Sequence, residues 1–357
     1  MEKTQTGHTR AWGGSDNELG VATGVTASLG LHYVTVQELA IWQTQRGGNI
    51  LGAVAFAAER PSFPATIFPQ AWVPMPLLGS DAVFEVWSSA TPVVRDNDNG
   101  IIGARNADLL FACLSLDEGG DIETASRDAY CRIFDYLDSR SHGHLLRVWN
   151  YFPRINAEVD KLERYRGFSI GRHDAFIAKG RAINKIDVPA ACALGSQGGP
   201  MVIYFLAAKE PGLPVENPRQ LSAYHYPEQY GPRSPIFSRA LLTEVRENHL
   251  LFISGTASIV GHESLHIGDA PAQARETVAN VQAIIRQAAV AGLTSAGDQL
   301  DLYFKAYLRH PAHRPILENA LFEAFGSRAK VIYLQADICR GDLLLEVEGV
   351  AIGAPRQ

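Results

Sequence analysis

The last apolar run of the chain, "LLLEVEGVAI" (343–352), carries two carboxylates two residues apart, Glu346 and Glu348. In a strand, alternate residues share a face, so both glutamates point one way while Leu343, Leu345 and Val347 point the other. An apolar face of that kind is a floor for helices, which turns the carboxylates towards whatever packs on the second face. A buried carboxylate has to be paired, protonated or functional. Two on one face are expected to raise each other's proton affinity, and a carboxyl that keeps its proton at neutral pH is a general acid. The other reading is a strand near an edge with both glutamates solvated, and spacing alone does not separate the two. Upstream lies Cys339 in "ADICRG", the one cysteine of four outside an apolar run.

A second constellation is "GHESLHIGD" (261–269), where His262-Glu263-x-x-His266 has the zinc spacing of many metalloproteases. That chemistry needs a helix, because only there do positions i and i+4 put both imidazoles on one face. The stretch instead connects an apolar strand to a helix capped by Asp269, with Gly261 and Gly268 at its ends. No third ligand follows at a suitable spacing. The match is read as a loop, and no metal site is expected.

The elements that must position these residues form an internal echo. In the first half, strand "LLFACLSL" (109–116) precedes a helix over 122–140 and strand "LLRVWNYF" (145–152). A helix near 172–179 and strands "ACALGS" and "MVIYFLAA" complete it. The second half repeats the order with a strand at 249–260, a helix at 270–288, a strand at 300–309, a helix at 314–325 and two closing strands. Each half thus buries one sheet face under two helices and leaves the other for a partner sheet. The predicted fold is α+β with two related domains, 31–210 and 211–357, after a flexible lead-in at 1–30. The Pro-rich "KEPGLPVENPRQ" (209–220) is the predicted linker.

A formal net charge of −6 argues against a general nucleic-acid or anionic-membrane binder. No apolar run reaches the roughly 20 residues that span a bilayer, and the polar N-terminus has no secretory apolar core. Four scattered cysteines without a CxxC pair suit reduced thiols in the cytoplasm; Cys113, Cys131 and Cys192 are expected in the core.

From about residue 80 to 353, the chain resembles the chorismatases, enzymes that release pyruvate from chorismate. The resemblance is carried by "GARNADLLF", "RVWNYFPRIN", "YRGFSIGR", "GSQGGP", "ENPRQLSAYHYP", "FISGTASIVGHES" and "DICRGDLLLEVEG", in that order along the family. It implies two YjgF-like (chorismate-mutase-like) domains, each a mixed sheet with helices on one face. It also implies that Glu346 is the catalytic acid and that Tyr226, Arg172 and Arg239 belong to the substrate pocket. Gln220 would add a polar contact. Arginines suit a substrate with two carboxylates, which guanidinium groups pair in a two-pronged way.

Within the family, members that hydrolyse chorismate to a diol tend to carry alanine at the positions of Gly255 and Cys339. Members that make 3-hydroxybenzoate tend to carry glycine and cysteine, as here. The resemblance therefore implies a cofactor-free 3-hydroxybenzoate synthase acting on a small molecule. Diol or 4-hydroxybenzoate formation is the alternative outcome. An imine deaminase on the same fold and a non-catalytic binder of aromatic carboxylates are the competing readings. A monomer or weak homo-oligomer is expected.

Overall fold

The computed structural model describes residues 29–46, 49–61, 68–79, 82–183, 188–293 and 300–353. The expected lead-in lies outside them up to residue 28. Three sheets are stacked around one apolar centre, to which each contributes: Leu31 and Phe56 from the first, Trp149 and Tyr204 from the second, Phe252 and Tyr307 from the third.

The second and third sheets are six-stranded and have the same order. In the third, Leu213–Val215, Ala240–Val245 and Asn248–Thr256 form a meander. The last strand, Leu345–Gly353, pairs antiparallel with both Asn248–Thr256 and Leu300–Leu308, and Ala329–Gln335 runs parallel to the latter. The second sheet repeats this with Val94–Asp98, Ile101–Arg105, Leu109–Leu116, Met201–Ala208, His144–Pro153 and Ala190–Ser196. Helices Ile122–Asp138 and Arg164–Ala178 cover one face of the second sheet, and Ala270–Val290 and Arg314–Phe325 one face of the third. The two related α+β units expected from the apolar runs are therefore present, each a mixed sheet with its helices on one side.

The first sheet, Leu29–Val34, Val83–Ser89, Ile50–Ala57 and Gln70–Pro74, has the order of the last four strands of the larger sheets. It is an abbreviated third repeat, so the stretch 31–210 expected to make one unit holds two sheets. The echo in the apolar runs starts at Leu109 and passes over it, because this sheet has four strands rather than six and does not repeat the full order of elements. The predicted linker also contains an edge strand, Leu213–Val215.

Two local features place the site. Asp269 caps the helix Ala270–Val290 by accepting from Ala272 N. The helix Arg164–Ala178 starts two turns before the expected 172–179, because its first half packs closely on Ile122–Asp138. Gly171 makes this approach feasible: a Cβ there would lie 2.0 Å from Glu123 O. Among the described residues no helix is long and apolar enough to cross a membrane.

Candidate active site

Leu345 and Val347 pack beneath the helices of the third sheet, which turns Glu346 and Glu348 towards the other sheets as the alternation predicts. Both are buried, but their surroundings differ. Glu348 is paired by Arg147 and, at 3.1 Å, by Lys305. Trp149 Nε1 and Tyr307 OH also donate to it, at 3.0 and 2.7 Å. Glu346, among the described residues, accepts no hydrogen bond. Burial pushes its pKa up to about 8, with the Arg147 guanidinium pulling the other way. The expected mutual repulsion of the two carboxylates is not the cause, since cations compensate Glu348.

Gly255 faces Glu346 across a break in pairing. The register between Asn248–Thr256 and Leu345–Gly353 shifts between Ile253 and Thr256. Ser254 holds this segment against the second sheet, its Oγ accepting from Ala191 N at 2.9 Å and donating to Ser238 O at 2.6 Å. A Cβ on Gly255 would lie 2.0 Å from Glu346 Oε1 and 3.2 Å from Cys192 Cβ. Glycine leaves the space that the carboxyl occupies.

Glu346, Gly255, Cys339 and Tyr165 line both a cavity of about 420 Å³ and a side chamber of about 40 Å³, at the junction of the second and third sheets. Tyr226, Arg239 and Gln220 line the larger cavity, and Arg172 the side chamber. All seven residues singled out in the sequence thus line these two cavities, which share Glu346, Gly255 and Cys339. Arg239 donates through Nη2 to Leu221 O at 2.6 Å and Tyr226 OH at 2.7 Å, and its Nε is buried without a partner. Arg172 is anchored by Nη1 on Ile236 O at 2.6 Å, while its buried Nε and Nη2 lack partners. Those two N–H groups form one edge of the guanidinium, the edge that pairs a carboxylate in two-pronged fashion. Gln220 is more committed to structure, donating to Ile259 O at 3.0 Å and accepting from Asn217 at 3.2 Å.

The Cys339 thiol is held well above its ordinary pKa by burial and by Glu346, so it is a neutral thiol. Cys192, expected to be an inert core thiol, is buried but lines the side chamber, and burial raises its pKa to about 11. The His262–His266 stretch is not helical. It contains a two-residue strand, Glu263–Ser264, and both Gly261 and His266 have left-handed φ of +59° and +58°. His262 Nδ1 meets Tyr230 OH at 3.2 Å beside the cavity, whereas His266 turns to Glu276 at 3.4 Å. Among the described residues no three of His, Cys, Asp and Glu are grouped as a metal would need.

Residues 85–207 match the family model described as "Chorismatase FkbO/Hyg5-like, N-terminal". A 3-hydroxybenzoate synthase of Streptomyces hygroscopicus is 34% identical over 317 residues, 86% of this chain and 92% of that protein. The chain belongs to the chorismatase family. A chorismatase of Streptomyces rapamycinicus is 37% identical over 273 residues, covering 74% of this chain and 81% of its own length. A chorismatase crystal structure superposes with a TM-score of 0.82 at 30% identity, over 92% of this chain and 99% of that one. Membership of the chorismatase family makes this chain an enzyme.

Three residues around Glu346 were not singled out from the sequence. Tyr165 lines both chambers. Arg340 stacks on Tyr230 at 4.0 Å and is held by His262 O at 2.9 Å. Arg147 is fully buried, and its charge acts on Glu346. All three lie inside the motifs "YRGFSIGR", "DICRGD" and "RVWNYF", but strand and helix periodicity alone cannot tell a cavity wall from a core.

Proposed function

We propose that the chain converts chorismate to 3-hydroxybenzoate and pyruvate, with Glu346 as the general acid. The observation that carries this reading is a buried, unpaired carboxyl with a pKa near 8, in the wall between two chambers that also present Arg172, Arg239 and Arg340. Below that pH Glu346 is a donor, and its proton goes to the methylene carbon of the enolpyruvyl ether. The resulting oxocarbenium-like side chain is a good leaving group. The neighbouring ring hydroxyl displaces it at the adjacent ring carbon, the ether C–O bond breaks, pyruvate leaves as the ketone, and the hydroxyl proton returns to Glu346. The arene oxide then opens and loses its ring proton to give the phenol. No atom is gained or lost overall, so the residues need supply only a proton and position.

The arginines hold the two carboxylates in register. The free edge of Arg172 suits the carboxylate lying nearest Glu346, while Arg239 and Arg340 serve the larger cavity. Gly255 supports the hydroxybenzoate outcome because it leaves the carboxyl where it is. Cys339, a neutral thiol against the same cavity, can donate or relay a proton but is no nucleophile at pH 7. The relative named 3-hydroxybenzoate synthase supports the same product. Chromatography of purified protein with chorismate tests the reading. Equal amounts of 3-hydroxybenzoate and pyruvate are expected; a diol as the main product would overturn the product assignment.

A further inference from the structure

Glu348 lies at the point where the three sheets meet. Each sheet sends one polar residue there from its last strand: Glu85, Tyr204 and Glu348. Lys305 joins them, pairing with Glu85 and Glu348 and donating to Tyr204 OH at 2.7 Å. Trp87 and Trp149 supply their indole N–H groups to Glu85 and Glu348, at 2.7 and 3.0 Å. Arg147, also buried, completes the group as the partner of Glu348. Two carboxylates and two cations compensate each other, all of them buried. The network extends outward from Glu348 to the site, because Glu346 is the next residue on the same strand face.

Arg147 therefore lies within the electrostatic reach of two buried carboxylates but forms an ion pair with only one. Its Nε and Nη1 have no hydrogen-bond partner, so the guanidinium has unspent donors. We propose that Glu348 is a positioning residue: as counter-ion to Arg147, it keeps that guanidinium from pairing with Glu346 and stripping it of its proton. The proposal rests on Glu346 being the acid.

Other groups facing Glu346 do not take over this role. Cys192 from Ala190–Ser196, Cys339 from the loop before the last strand, and Tyr165 from Arg164–Ala178 all have proton affinities raised by burial and stay neutral. Tyr307, its cross-strand partner, is likewise a neutral phenol and hydrogen-bonds to Glu348. Arg172, Arg239 and Arg340 are each anchored on a carbonyl oxygen, and Tyr226 is bonded to Arg239. Arg166, Glu163 and Asp342 complete the charged lining of the larger cavity. Arg147 is the charge that acts against burial at Glu346.

Carbon-13 labelling of glutamate carboxyls, with the Glu346 signal assigned by its loss in Glu346→Gln, reads this directly by NMR titration. In Glu348→Gln the Glu346 midpoint should fall by a unit or more from its native position. A smaller shift, or an upward one, overturns the proposal. If that variant does not fold, the double change Arg147→Gln with Glu348→Gln removes both buried charges together. Glu346 should then titrate above its native midpoint, and a midpoint at or below it overturns the proposal. In turnover, Glu348→Gln should move the alkaline limb of kcat/KM to lower pH and recover activity near pH 5.5, which a merely structural defect would not do. The titration needs no substrate, so inactivity of the native protein on chorismate would sink the proposed function without touching this test.

Discussion

At the scale of single residues, the chemistry depends on a proton held by a buried carboxyl. A carboxyl whose pKa is raised in the native state binds its proton more tightly folded than unfolded. Its contribution to stability is therefore lost as pH rises from the ordinary glutamate range to about 8. Glu346→Gln removes that titration, so the variant should gain relative stability at pH 8 over pH 5, by up to about 4 kcal/mol. Chemical denaturation at the two pH values would detect it, and an equal effect at both would contradict a neutral Glu346. Gly255→Ala would put a methyl group 2.0 Å from the present Oε1 position and force the carboxyl to turn. With Cys339→Ala, it should shift product from the hydroxybenzoate towards the diol; chromatography showing an unchanged ratio would remove the subtype assignment. Strand alternation put Glu346 and Glu348 on one face, and the family resemblance singled out Glu346. Its pairing status was not legible, because the cations that distinguish it from Glu348 come from positions about 40 and 200 residues away, counting Lys305 and Arg147.

At the scale of elements, the site exists because two sheets meet at a bulge. Ser254 joins them through Ala191 N and Ser238 O, both buried. Ser254→Ala leaves an N–H without its acceptor and should cost about 1–3 kcal/mol of stability. It should also lower activity by loosening the segment that carries Gly255. Denaturant titration alongside turnover would check this, and a variant with native stability would contradict it. Most helices and strands of the two larger units were legible, the helices from one buried face at helical spacing and the strands as apolar runs. The early start of the helix Arg164–Ala178 was not. Its first half reads "RYRGFSIG", whose glycines look like breakers but serve a close helix contact instead.

At the scale of the whole molecule, three sheets enclose a compensated charge cluster, and one of their junctions holds the cavity. Lys305 contacts Glu85 of the first sheet and Glu348 of the third. Lys305→Met would leave an uncompensated negative charge in the core and should destabilise the protein by about 3–5 kcal/mol. A thermal midpoint within a degree or two of native would contradict that reading. The first sheet was invisible in the sequence because its repeat is shortened to four strands and lacks the order of elements that marks the larger units. The HExxH letters, by contrast, were visible and structurally empty, since a hairpin with left-handed residues cannot bring the two imidazoles together.

The central claim is that Glu346 delivers the proton that releases pyruvate. Its most direct test is the rate of pyruvate formation from chorismate by native protein and by Glu346→Gln, with circular dichroism to confirm the fold. The account predicts a native-like spectrum with turnover reduced at least about a thousandfold, in the upper part of what a positioned acid contributes. A folded Glu346→Gln variant that releases pyruvate at near-native rate would contradict it.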